Sequence, residues 1–334
     1  MPLMCDWSDH LIAALENEEA GLAGAMGLHQ GLSSETFEQM LGAFLRWRDT
    51  RDLRDQFATF GGPQPNSQSM DVVQHRQRED ARIEVVIRVL NKTLYELFGR
   101  RNIDEDHTQQ AYRVLLQPFD IDSARGDLVC VTTNYDIAGE VGLAGLGLRA
   151  DTGFVQKGVG TTPVLSPGGI LQRALGSSRV PLLHLHGAVG WYAEDHDVVQ
   201  GPADRAFNPT LGTPVVLYPD PDKDPTRDVV VAELWTEFRQ GLDQATHILV
   251  VGHSLHDKPL VTELQRAKRK VAVVVYDGGN PDAVSRERQR VRTLLPSAHV
   301  VPGKFGPDPQ LSGAEYGAWR DGSSPYHAPY IVTA

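Results

Sequence analysis

Cysteine is nearly absent from this chain. Cys5 and Cys130 are the only two in 334 residues. Two thiols cannot make a four-ligand zinc site, and one possible disulfide is not a framework. Cys130 lies in an apolar run and reads as a small buried hydrophobe. Such usage fits a reducing compartment. Basic charge is in deficit: 32 Lys and Arg stand against 43 Asp and Glu, a formal net charge of -11. An acidic surface repels phosphate backbones, which argues against nucleic acid as a direct partner. A local basic stretch, Arg266, Lys268, Arg269 and Lys270, falls at the predicted end of a helix, where cations suit the dipole. No apolar run reaches membrane-spanning length, and the first residues lack a charged-then-apolar signal pattern. The expectation is a cytoplasmic chain without membrane contact. No internal repeat is present.

What remains is ordinary in bulk: 41% hydrophobic and 22% charged residues, enough to bury a core. Residues 8 to about 118 carry helical spacing, as in Phe37, Met40, Leu41, Phe44 and Leu45. A longer helix is predicted over about Asp80–Gly99, with Ile83, Val86, Val89, Leu90, Leu94 and Leu97 on one face. Another spans about Thr108–Leu116 and stops before Pro118. Breakers at residues 61–67 predict a loop. The character then changes. Short β-branched runs occur at Leu128–Thr132, Leu182–Leu185, Pro214–Tyr218, His247–Val251 and Val271–Tyr276. Helical patterns over Val229–Ala245, Pro259–Lys268 and Pro281–Leu295 separate the later ones. Almost continuously apolar strands alternating with helices predict an α/β fold with a doubly wound parallel sheet. Ligands in such sheets bind beyond the carboxyl ends of the strands.

Three strand ends carry the candidate chemistry. The first is Thr132-Thr133-Asn134-Tyr135-Asp136, whose amide and carboxylate either hold a ligand or cap the next helix. The second is His184-Leu185-His186-Gly187. Strand alternation puts both imidazoles on one face. They read as a general base, as half of a metal site, or as core histidines. Gly187 permits a tight turn and close approach of a ligand. The third is Gly252-His253-Ser254-Leu255-His256-Asp257, a loop suited to a phosphate or ribose, with Ser254 or Asp257 as helix cap. His256 stands where a hydrolase nucleophile elbow needs its last glycine. A fourth end, Tyr276-Asp277-Gly278-Gly279, adds an acidic residue suited to a ribose or adenine.

Two patterns are set aside. Asp220–Asp224 resembles the start of a calcium loop but has Pro225 and Val231 where glycine and glutamate belong. The glycines of 142–147 do not directly follow an apolar strand, as a dinucleotide fingerprint would.

Taken in order, Thr132–Asp136, His184–Gly187 and Gly252–Leu255 resemble the sirtuin family of NAD-consuming enzymes. Val189-Gly190-Trp191 and Gly303-Lys304-Phe305-Gly306 are similar to its bacterial branch, which includes NAD hydrolases of antiphage defence. The resemblance covers roughly residues 125–306, a Rossmann-like core within a single 1–334 domain, with residues 30–118 as a helical insertion. It implies that NAD is the substrate and that Asn134 orders the attacking water. Asp136 would hold the nicotinamide carboxamide beside Thr133, and His186 would act as general base on a ribose hydroxyl. Gly252 and Ser254 would meet the phosphates and distal ribose, Asp257 would anchor that loop, and Asp277 would face the adenosine. The family opens with a strand and Gly-Ala-Gly-x-Ser. This sequence has no such segment, and Met1–Trp7 looks like the stretch just after it. The implied fold therefore lacks the family's first strand and glycine-rich loop. It also lacks the four zinc cysteines of protein deacylases, so no metal is expected and water is favoured as acceptor. The helical insertion would serve as a surface for self-association or a partner protein. The implied activity is NAD glycohydrolysis to nicotinamide and ADP-ribose. The alternatives are a non-catalytic NAD- or ADP-ribose-binding or assembly module, a deacylase or ADP-ribosyltransferase, and a metal hydrolase using His184 and His186.

Overall fold

A computed structural model describes residues 4–33, 36–44, 46–47, 70–99, 103–116, 128–174, 179–194, 197–201, 213–217, 224–226, 228–252, 255–267, 270–276, 280–304, 310–311 and 329–333. The predicted loop at 61–67, Ser254, and Asp277 with its two glycines lie outside the described residues. The chain divides into two compact units; among the described residues the first runs to Gly99 and the second holds the rest.

The first unit is helical, with α1 (Met4–Glu18), α2 (Leu22–Ala25), α3 (residues 36–44) and α4 (Met70–Phe98). Trp7 is fully buried at its centre. Its indole N–H donates to Thr93 Oγ1 at 3.1 Å, and its ring meets Phe37 and Phe98 edge-on. A buried indole needs such a partner for its one donor. Leu11 and Leu15 of α1, Leu41 of α3 and Val86, Leu90 and Leu94 of α4 complete the core. α4 begins about ten residues before the predicted start near Asp80. The polar sequence of residues 74–80 in its first half carries no apolar periodicity to betray a helix.

The second unit is mixed α/β. Its elements in chain order begin with α5 (Glu105–Leu116), β1 (Val129–Thr132), α6 (Ala138–Ala144), β2 (Arg149–Asp151), β3 (Phe154–Val155), β4 (Val164–Leu165) and α7 (Ile170–Ala174). They continue with β5 (Arg179–His184), β6 (Gly187–Glu194), β7 (Asp197–Gln200), β8 (Thr213–Val216), α8 (Val229–Gln244), β9 (His247–Val251) and α9 (Lys258–Arg266). The last are β10 (Lys270–Tyr276), α10 (Pro281–Leu294), β11 (His299–Lys304), β12 (Gln310–Leu311) and β13 (Pro329–Thr333). The main sheet has the order β12-β11-β10-β9-β13-β1-β5-β2, parallel throughout except at β12. The second sheet, β3-β4-β7-β6-β8, is antiparallel and takes in the predicted strand near 214.

Both faces of the main sheet are covered. Val131, Leu183, Ile248, Val250, Val271 and Val273 face Leu234, Trp235 and Phe238 of α8 and Leu260 and Leu264 of α9. The alternate residues Cys130, Leu182, Leu249, Ala272 and Val274 face Tyr112 and Leu115 of α5 and Leu143 of α6. Alternation sends successive side chains to opposite faces, so a strand buried on both must be apolar at every position. Burial pushes the Cys130 thiol up to about 12, as for an inert core cysteine. The glycines near 142 are explained by packing. A Cβ on Gly142 would lie 2.3 Å from the Tyr112 ring, and one on Gly139 2.9 Å from Leu182. They let α6 approach α5 and the sheet.

The helix starts follow local chemistry. Asp228 accepts from Val231 N at 3.0 Å, Asn280 from Asp282 N and Ala283 N, and Asp257 from Leu260 N at 3.2 Å. Each cap satisfies a donor that the helix leaves unpaired. Arg266 in the last turn of α9 pairs with Glu263, which also binds Arg239.

A strand that the sequence reading did not predict, β13, lies at the sheet centre between β1 and β9, parallel to both neighbours. Val129–Thr132 pair with Tyr330–Thr333, and the same segment pairs with His247–Val251. A protein ending at residue 328 would leave β1 and β9 with unpaired edges in the middle of the sheet. It is expected to lose its cooperative unfolding transition, measured by circular dichroism, and to aggregate.

Candidate functional site

Parallel pairing brings the strand ends into one row. His184 is in register with Thr132, Thr132 with Thr333, and Thr333 with Val251. The chain leaves β1, β5 and β9 there, into residues 133–137, 185–187 and 252–257.

The β1 exit is tightly held. Thr133 N donates to Thr333 O at 3.0 Å, and Asn134 N to Thr132 Oγ1 at 3.0 Å. Thr133 and Asp136 are buried, and Asn134 is partly exposed. Asp136 Oδ1 accepts from Ala138 N at 2.9 Å, so its carboxylate serves the first turn of α6, whose cap residue Ile137 makes no side-chain bond. Burial raises the Asp136 carboxyl above its ordinary range, with the Ala138 N–H and the nearby His184 acting in the opposite direction.

The two histidines of the β5 end part company. β5 ends at His184, and His186 sits in the turn that follows. His184 is fully buried, lies edge-on to Trp191 of β6, and places Nε2 3.2 Å from Glu140 Oε1 of α6. Burial alone lowers the His184 imidazole, but Glu140 and Asp136 outweigh it, so its affinity for a proton is raised. Glu140 Oε2 is buried with no hydrogen-bond partner among the described residues. His186 turns to a different acid: its Nε2 is 2.8 Å from Asp257 Oδ2, both side chains being buried. The two rings therefore serve separate carboxylates. Among the described residues no group of three or more His, Cys, Asp or Glu is arranged to hold a metal.

Surrounding contacts hold this turn in place. Trp235 of α8 donates its indole N–H to Leu185 O at 3.0 Å. Leu217 N donates to His186 O at 2.7 Å, while Leu217 O accepts the Tyr135 hydroxyl at 2.8 Å. The Tyr135 ring lies 6.3 Å from the His186 ring, centroid to centroid. Gly187, expected to admit a ligand, instead admits a strand. Its φ is +72°, and a Cβ there would stand 2.0 Å from the Val215 carbonyl oxygen of the β8 backbone.

The β9 exit is bent by two left-handed residues, Gly252 at φ +70° and Leu255 at φ +54°. Glycine adopts that region freely, but for leucine it is strained. Leu255 is buried in the core beneath the loop, which holds it there. Asp257 follows and bridges the loop to His186.

Thr133, Asn134, Asp136, His186, Gly252 and Asp257 thus sit on the exits of three strands that end in one row. Sequence reasoning named Tyr135 without giving it a role and missed Glu140, Trp235 and Thr333. The run Tyr330-Ile331-Val332-Thr333 is β-branched and was a readable strand signal. The pairing of Glu140 with His184 had none, because it joins residues 44 apart. No family model matches this chain, and no curated protein matches it.

Two outcomes test the site's construction. Gly187→Ala combines a left-handed φ with a backbone collision, and is expected to cost more than about 2 kcal/mol in denaturant unfolding. Asp136 has a raised folded-state pKa, so the native protein keeps a proton that the unfolded chain has lost. Its favourable contribution is present below about pH 4, the unfolded value, and disappears as pH rises through the folded one. Asp136→Asn keeps an oxygen for the Ala138 N–H and removes the buried charge. Its thermal midpoint should exceed wild type at pH 7, and the difference should close as pH falls to about 4.

Proposed function

We propose that this chain is an NAD glycohydrolase of sirtuin-like type, releasing nicotinamide and ADP-ribose on a doubly wound, Rossmann-like sheet with a helical insertion. The observation that carries the reading is the shared edge of an amide, Asn134, and an acid-bound imidazole, His186, at the exits of the adjacent parallel strands β1 and β5. Cleaving the C1′–nicotinamide bond develops oxocarbenium character, so the site must orient a nucleophile and stabilise positive charge. In this reading Asn134 orders the water and His186 takes a proton from a ribose hydroxyl. Asp136, beside Thr133, receives the carboxamide. Gly252 and Ser254 meet the phosphates and distal ribose, Asp257 anchors that loop, and Asp277 meets the adenosine. Asp136, buried at the β1 exit, and the partly exposed Glu140 would, when ionised, favour a ligand that becomes cationic as it reacts. Such an activity would suit a role in antiphage defence.

Wild-type protein incubated with NAD is expected to release nicotinamide, measured by chromatography, and His186→Ala to slow that release by about 100-fold or more. No release by wild type, or equal release by the variant, defeats the reading. Calorimetric binding of NAD or ADP-ribose without turnover would instead indicate a non-catalytic binding module.

A further inference from the structure

We propose that Asp257 is a positioning residue that fixes the tautomer of His186, making Nδ1 the nitrogen that accepts a proton. The inference rests on the NAD-cleaving reading for the identity of the proton donor, but its physical basis is independent of it. Asp257 is 6% exposed and divides its two oxygens. Oδ1 accepts from Leu260 N at 3.2 Å as the cap of α9, and Oδ2 lies 2.8 Å from His186 Nε2. A carboxylate at a helix amino terminus is stabilised in its charged form by the backbone N–H groups and the dipole. A charged carboxylate only accepts. The hydrogen at this contact therefore belongs to Nε2, and in the neutral ring Nδ1 is the unprotonated nitrogen.

Further contacts hold the turn that carries the ring. The His186 carbonyl is held by Leu217 N, and the same residue's carbonyl holds Tyr135, whose ring lies against the imidazole. The preceding peptide is held by Trp235. On the other side, Asp257 is anchored by α9 and by a loop bent at Gly252 and Leu255. Ring and carboxylate are thus fixed from separate elements, 71 positions apart in sequence. A general base gains from such an acid partner because the partner selects the tautomer and supports the imidazolium that forms.

Asp257→Asn gives a sharp test. With its oxygen still capping Leu260 N, the amide nitrogen takes the place of Oδ2 and donates to Nε2, which forces the hydrogen onto Nδ1. Asp257→Ser keeps a good cap but no longer reaches the imidazole. The His186 tautomer is read from long-range 1H–15N correlations at about pH 8.5, well above the ordinary imidazole value, with His186→Ala assigning the signal among 12 histidines. The expected result is Nε2–H in wild type, Nδ1–H in Asp257→Asn and a mixture in Asp257→Ser. The asparagine variant should lose about two to four orders of magnitude in kcat with KM within about threefold. Asp257→Asn should unfold near the wild-type midpoint, because both the cap and the contact with the imidazole survive, whereas Asp257→Ser, which leaves a buried N–H without that partner, should unfold lower. Nδ1–H in wild type, or the same tautomer in wild type and both variants, overturns the proposal even if NAD is cleaved. The expected tautomers with no nicotinamide release from wild type support the role of Asp257 and defeat the NAD-cleaving reading instead.

Discussion

The second unit depends on the parallel insertion of β13 between β1 and β9. Every backbone group in the centre of a sheet must be paired, because water cannot reach it. β13 supplies that pairing on two sides at once. It also sets the register that puts Thr132, His184 and Val251 in one row. Without a strand between them, β1 and β9 would have to meet directly or stand apart, and their exits would not keep their present relation. The position of the candidate site is thus a consequence of backbone hydrogen bonding contributed by the last part of the chain.

Around that row the protein accepts local costs. Asp136 is a buried acid with a raised pKa, and Glu140 keeps one buried oxygen without a partner among the described residues. Leu255 holds a left-handed backbone that its side chain disfavours. Burying charge and straining backbone both oppose folding. The compensation is the apolar packing beneath, where α8 and α9 meet the sheet through Trp235, Phe238, Leu260 and Leu264. Such local costs persist only where the surrounding packing over-determines them.

Histidine shows how context decides role. His184 and His186 are two residues apart and look equivalent as a His-x-His pair. One ends a strand and is buried against Trp191 and Glu140; the other lies in a turn against Tyr135 and Asp257. The two-residue period of a strand holds only while the strand continues. Here it stops at His184, so alternation no longer predicts where the second ring points.

The sequence alone determined the features that rest on local chemistry. The apolar runs at 129–132, 247–251 and 271–276 required strands buried on both faces. Asp257 was one of two residues offered as a helix cap by its local chemistry, and the strand ends marked where polar groups would gather. Only the tertiary structure decided the long-range partners: β13 at the sheet centre, Glu140 for His184, Asp257 for His186, and the Val215 backbone against Gly187. The physical reason is that caps and periodicity act within a few residues and leave a local trace. A hydrogen bond between residues 44, 71 or 202 positions apart leaves none until the sheet has chosen its order.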